Sequence, residues 1–409
     1  MSSEFWEFFL KIFSPLARAF IIDDMNSKQR FLAALRREVP DRLPVTTHHV
    51  MPYFLEQAMG GISVQEFFDY FGFDPILWAA AHRADSSRGE YFDQNTKKHD
   101  TQELPLICSK NWIIEKEILA IQKYETVRFR CITPRKILST VLQSDDKTTW
   151  VTERLIKEKS DIDIFALYAP IPLCDTNLVN READSFGDRG LIRGTIPGFD
   201  IYGQPGCWQD AAVLYGIEDL ILATYDDPQW VHEFLSILKE RKKRYIQSME
   251  GALFDLVELG GGDASSTVIS PGVFEKFVAP YDAELIDAAH SKGQRIVYHT
   301  CGGMMPILET IADMKPDAME TFTPPSLGGD VDLAEAKLRI GHRVCLIGGF
   351  DQFLCFKDNT QEETRAAVRR CFNEAGQGGG YILASSDHFF EADLDLLKAF
   401  ADEAKKCIY

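Results

Sequence analysis

His299 and Cys301 stand two residues apart at the end of the segment RIVYHTCGG, residues 295–303. In an extended chain alternate residues share a face, so an imidazole and a thiol there can address one point. A neutral imidazole and a thiolate together suit Zn²⁺. Taken alone, His-x-Cys is more often packing than a metal site. Polar residues of the same kinds, however, recur after other short apolar runs. These are His48 and His49, then Glu258 and, beyond three glycines, Asp263, then Glu320, Asp351, and finally Asp387 with His388. Imidazoles and carboxylates are costly at the ends of buried parallel strands unless they are partnered. Their accumulation at one end of a sheet is the pattern of a metal or acid–base site.

The elements that must position them alternate along the chain. Strands are expected at Pro44–Thr47, Ile76–Ala79, Leu191–Thr195, Leu253–Glu258, Arg295–His299, Ala318–Phe322, Val344–Gly348 and Tyr381–Ser385. Amphipathic segments follow several of them, at Val273–Ser291, Met304–Met314, Leu333–Leu338 and Thr360–Ala375. Eight such units predict an α/β fold, a (β/α)8 TIM barrel, whose chemistry sits at the C-terminal ends of the strands. The spacing breaks once, at about 85–187, where two-residue alternation predicts an antiparallel insertion, a hairpin lid over the barrel top. The expected organisation is an N-terminal helical extension over residues 1–25 and a single barrel domain over 26–409.

Bulk properties narrow the partners. The 44 basic against 62 acidic residues give a net charge of −18, and no basic run occurs, which argues against a nucleic-acid partner. Nine scattered cysteines point to reduced thiols and the cytoplasm. The N-terminal stretch EFWEFFLKIFSPLARAFII is interrupted by Glu4, Glu7, Lys11 and Arg18. It lacks the layout of a signal peptide, and the chain has no uninterrupted apolar run long enough for a membrane span. An amphipathic helix packed on the body, or on a second copy in a homodimer, is the expectation. Interfacial membrane binding is the alternative.

The order of SKQRFLAALRREVPDRLPV, ISPGVFEKFVAPYDAELIDAAHSKG, YHTCGG, LIGGFDQ and GGYILASSDH followed by LDLLKAF resembles the uroporphyrinogen decarboxylase superfamily, from about Asn26 to the C-terminus. The resemblance implies the (β/α)8 barrel. In that superfamily the decarboxylases need no metal and hold substrate carboxylates with arginines just after strand one. Here that place reads THHVMPYF, without arginine. The zinc, corrinoid-dependent methyltransferases carry His-x-Cys-Gly after strand five and a third ligand, normally Cys, after strand eight. His299 and Cys301 match. The third position falls on Asp387, with His388 as its competitor, and Glu320 matches a carboxylate that can approach the metal. The resemblance thus implies Zn²⁺ on His299, Cys301, Asp387 and Glu320, and a corrinoid protein docking at the C-terminal face of the barrel. One thiolate among nitrogen and oxygen donors is a harder site than a thiolate-rich one. It suits polarising an ether oxygen, hence an O-demethylase type of methyltransferase that moves a methyl group from an O-methyl donor, such as a methoxylated aromatic, to Co(I). The alternatives are a methylcorrinoid:thiol methyltransferase, a uroporphyrinogen-type decarboxylase, and a non-catalytic tetrapyrrole- or corrinoid-binding protein.

Glu320 and Asp263 are the expected catalytic residues, Asp263 either orienting substrate or metal-bound histidine or else capping a turn. His48, His49, Glu258 and Asp351 are expected to line the substrate pocket, with at most one of the two adjacent histidines pointing inward. Cys345 and Cys355 read as buried thiols. Trp112 and Trp150 can wall an aromatic substrate or pack in the core.

Overall fold

A computed structural model of the chain describes residues 24–93, 106–120 and 122–409. The anticipated N-terminal helix lies outside the described residues. Seven parallel strands pair in chain order: Ile76–Trp78, Leu191–Thr195, Leu256–Gly260, Ile296–His299, Ala318–Thr321, Cys345–Gly348 and Tyr381–Ile382. The eighth stave is the segment around Val45. It bridges Leu383 in parallel on one side. On the other, the Asp74 N–H donates to the Val45 carbonyl at 2.7 Å, closing the barrel. Counted along the chain, the Val45 segment is the first barrel strand and Tyr381–Ile382 the eighth.

This first strand is shorter than the expected Pro44–Thr47, and the reason is local. Pro44 has no N–H to give a ladder, and the Val45 N–H donates to the Asp74 carboxylate at 2.9 Å instead of to a neighbouring strand. Asp74 is itself held by Arg30 and Arg42 at 2.7 and 2.9 Å. The other strands read as continuous apolar runs because helices cover their outer face and packed side chains their inner one. Cys345, Leu346 and Ile347 are all buried, and Cys355 is buried as well. The amphipathic stretch 273–291 forms two helices, Pro271–Phe277 and Ala279–Ser291. Pro280 lacks the N–H that would continue a single helix through the junction.

The insertion holds more than one hairpin. Ile113–Ile118, Glu125–Ile132, Ile137–Ser144 and Thr149–Glu153 form a four-stranded antiparallel meander. Its outer face carries the cross-strand pairs Arg128–Glu117 and Arg130–Glu115 at 3.0 and 3.1 Å. Phe129 and Cys131 are buried on the inner one. The turn between its last two strands reaches the far side of the barrel mouth. There Lys147 lies 3.6 Å from Glu391 and its ammonium sits 5.0 Å from the centre of the Tyr53 ring. Tyr53 follows the first barrel strand and Glu391 the eighth, so the meander crosses the C-terminal face. No helix among the described residues is long and apolar enough to cross a membrane.

Candidate metal centre

The fifth and sixth barrel strands pair so that His299 faces Glu320 directly. Alternation sends Tyr298 the other way, into the helix layer, where its hydroxyl donates to Asp282 at 2.9 Å. His299 therefore points inward. Its Nδ1 lies 2.9 Å from Glu320 Oε1. The same oxygen accepts from Arg193 Nη2 at 2.5 Å, and Arg193 also donates to Glu258 Oε2 at 2.8 Å. Arg193 and Glu320 are 2% and 1% exposed, so neither charge could stand there without the other. The guanidinium carbon also lies 4.3 Å from the centre of the Trp78 ring.

His48 completes the group. The ligand atoms of His48, His299 and Glu320 all lie within 4.8 Å of one another. His48 Nδ1 is 3.7 Å from Glu320 Oε2, an oxygen that is buried and has no hydrogen-bond partner. An orphaned carboxylate oxygen beside two imidazoles is a donor set that a divalent cation fits. Cys301 adjoins it through a hydrogen bond with His299. Burial disfavours the His299 imidazolium, yet the bonds with Cys301 and Glu320 raise its pKa well above the ordinary value. Burial alone would raise the Glu320 carboxyl, but Arg193 and then His48 hold it well below the usual range. Glu320 is thus a carboxylate, one oxygen orienting His299 and the other open to a cation.

The backbone after Glu320 is strained. Thr321 and Phe322 adopt φ of 80° and 45°, a region that costs a β-branched or bulky residue on the order of 1–3 kcal/mol. The Thr321 hydroxyl donates to the Thr300 carbonyl at 2.6 Å, which ties the residue after Glu320 to the residue after His299. Two strand ends are locked together where their side chains must meet.

The remaining expected residues divide. His49 stacks on Trp78 with ring centres 4.4 Å apart, and its own ring is 4.4 Å from that of His48. Both histidines therefore gather at one end of the barrel, contrary to strict alternation, because the chain bends at His48 and is no longer a strand. Burial, with His48 and Arg193 nearby, pushes the His49 pKa well down. Asp387 does not join the three convergent ligands. Its Oδ1 lies 2.8 Å from His388 Nδ1 and accepts the His388 N–H at 2.7 Å. Burial works to raise its carboxyl, but His388 and the neighbouring His48 hold it well below the usual range. Glu258 reaches the group through Arg193. Asp351 stays apart, accepting from Ser326 Oγ at 2.5 Å and the Leu354 N–H at 2.9 Å.

Asp263 is clamped by Gln209, which donates to its carboxylate at 2.9 Å and accepts its N–H at 2.6 Å. Burial raises its pKa. The glycine before it matters: a Cβ on Gly262 would sit 2.5 Å from Cys301 Sγ, so only glycine lets this loop reach the thiol. Arg193 and Trp78 were missed by sequence reasoning. The signal for Arg193 was available, since LIRGT places a charge inside an otherwise buried strand, the same anomaly that singled out Glu320.

A family model described as uroporphyrinogen decarboxylase (URO-D) matches residues 203–407, half of the chain. A uroporphyrinogen decarboxylase of Neisseria meningitidis is 28% identical over 164 residues, 39% of this chain and 43% of that protein. One from Pseudomonas fluorescens is 26% identical over 232 residues, 54% of this chain and 61% of that protein. The chain thus matches only part of the length of these relatives. Among solved structures, a methyltransferase from Methanosarcina mazei superposes with a TM-score of 0.61 at 16% identity, covering 93% of this chain and 99% of that one. That likeness is one of fold.

Proposed function

The chain belongs to the uroporphyrinogen decarboxylase family, and within that family we propose that it is a zinc-dependent methyltransferase. In this reading it moves a methyl group from an O-methyl donor, a methoxylated aromatic, to the Co(I) of a corrinoid protein. The observation that carries the reading is the convergence of His48, His299 and Glu320 beside Cys301. His299 and Cys301 would hold the metal with Glu320 and His48, and the Asp387 carboxylate would act on His48 through its charge. A zinc ion bound there would supply Lewis-acid polarisation of the donor's ether oxygen. Glu320 Oε1 fixes the orientation of His299, as a carboxylate behind a ligating imidazole does. Arg193 keeps Glu320 ionised and in place. The meander spans the mouth and walls the cleft beneath it.

A decarboxylase of a carboxylate-rich tetrapyrrole is the second reading, favoured by the names of the matched relatives. It sits less well with the site. THHVMPYF offers no arginine to clamp substrate carboxylates, and Arg193 is already bound by Glu258 and Glu320. Elemental analysis tests the choice. The methyltransferase reading expects one zinc per chain, activity lost in chelator and restored by zinc. Full activity with no metal would favour the decarboxylase.

A further inference from the structure

Between the inner face of the meander and the loop that follows the third barrel strand lies a cleft of about 760 Å³, within the size range of small-molecule sites. Aromatic side chains line both walls: Phe129 and Trp150 from the meander, Phe199 and Tyr202 from the loop. They pack against further rings. Trp150 meets Tyr124 edge-on at 5.0 Å, and Phe199 meets Trp112, Phe165 and Tyr202 in the same manner. Trp112 is fully buried and serves as backing for this wall. The loop itself is pinned by a buried ion pair, Lys242 to Asp210 at 3.0 Å. Lys242 also donates to the Gln204 carbonyl at 2.6 Å, and Asp210 accepts the Gln204 N–H at 3.1 Å.

The cleft approaches the metal centre at one end through its wall: Asp263 lines it, and the adjacent Gly262 lies against Cys301. Its charges are unevenly answered. Burial raises the Asp263 carboxyl, opposed first by its hydrogen bond from Gln209 and then by the Arg154 charge. Lys116 lies over the Phe129 ring and is exposed to solvent. Asp200 lines the cleft, and its carboxylate Oδ2 accepts the Ile107 N–H at 2.9 Å. Burial pushes its carboxyl up to about 6, against Arg241, with Glu90 adding to the rise. A carboxylate so placed accepts a hydrogen bond from a ligand hydroxyl and repels a ligand carboxylate.

We propose that this cleft holds the aromatic ring of the methyl donor, and that Asp200 selects an uncharged ring bearing a hydroxyl over a ring bearing a carboxylate. The proposal rests on the methyltransferase reading for what the ring is, but binding alone tests it. Titrate the full chain, with and without zinc, with 2-methoxyphenol, anisole and 2-methoxybenzoate, following heat and tryptophan fluorescence. The expected order is 2-methoxyphenol tightest, anisole about tenfold weaker for want of the charge-assisted hydrogen bond, and 2-methoxybenzoate weaker still. Asp200→Asn should bring 2-methoxyphenol toward anisole, and Trp150→Ala should weaken all three. Equal or tighter binding of 2-methoxybenzoate to the unaltered chain would overturn the proposal without needing a variant. So would an undiminished preference for 2-methoxyphenol over anisole in a folded Asp200→Asn chain. Methyl transfer from 2-methoxybenzoate without preference for the phenol would sink this assignment and leave the methyltransferase reading standing. Selective phenol binding without methyl transfer would do the reverse.

Discussion

His299 and Glu320 are register partners on neighbouring strands, joined Nδ1 to Oε1 at 2.9 Å. They stand 21 positions apart in the chain, and the pairing places one directly beside the other. The centre follows from that relation: Arg193 charges Glu320, Glu320 orients His299, and His48 bends in from the first strand to meet them.

His299→Ala and His48→Ala should each strip the metal, because either leaves a divalent cation with too few protein donors. Cys301→Ser should weaken binding by a smaller factor, since the oxygen retains the position but not the softness of the thiolate. Metal content after dialysis, read by elemental analysis, checks the series. Retention of full zinc by His48→Ala would return the third ligand to Asp387.

Glu320→Gln keeps shape and one hydrogen-bond acceptor while removing the charge. Turnover should fall about 10–100-fold, the usual range for losing a carboxylate behind a ligating imidazole, with zinc content reduced less. Equal turnover would remove Glu320 from the chemistry.

Arg193→Met should destabilise the fold by about 3–5 kcal/mol, since it leaves two carboxylates in the barrel interior without their cation. Arg193→Met combined with Glu320→Gln should recover part of that loss. Denaturant unfolding of the single and double variants measures the coupling.

Asp200 makes stability depend on pH in a direction opposite to a salt-bridged carboxylate. Its folded pKa is raised to about 6 from 3.8, so the folded state binds the proton more tightly than the unfolded chain. Stability is highest below pH 3.8 as far as this group is concerned, and falls as pH rises through about 6. Asp200→Asn should therefore stabilise the protein above pH 6, by up to roughly 3 kcal/mol. The gain should vanish toward pH 4. Melting curves at both pH values test it.

The barrel was legible because each strand is an apolar run bounded by turn residues, and the boundaries met the structure to within a few residues except at Val45, where Asp74 takes a ladder position from 29 residues away. His299, Cys301 and Glu320 stood out as polar groups at strand ends. His48 was legible as a pocket residue, but its approach to Glu320 depends on a bend that alternation cannot anticipate. Arg193 was passed over because its meaning lies in partners on the fourth and sixth strands. The meander was foreseen as one hairpin. Its later strands, ILSTVLQS and TWVTE, mix polar and apolar residues on the pocket-facing side, which blurs the period of two.

Formation of methyl-Co(III), followed by absorbance, is the most direct test of the central claim. The zinc-loaded protein is mixed with Co(I) corrinoid and a set of methoxylated aromatics. The account predicts methyl-cobalt from at least one donor, and none with the His299→Ala chain. Release of CO₂ from uroporphyrinogen, with no methyl-cobalt from any donor, would contradict it.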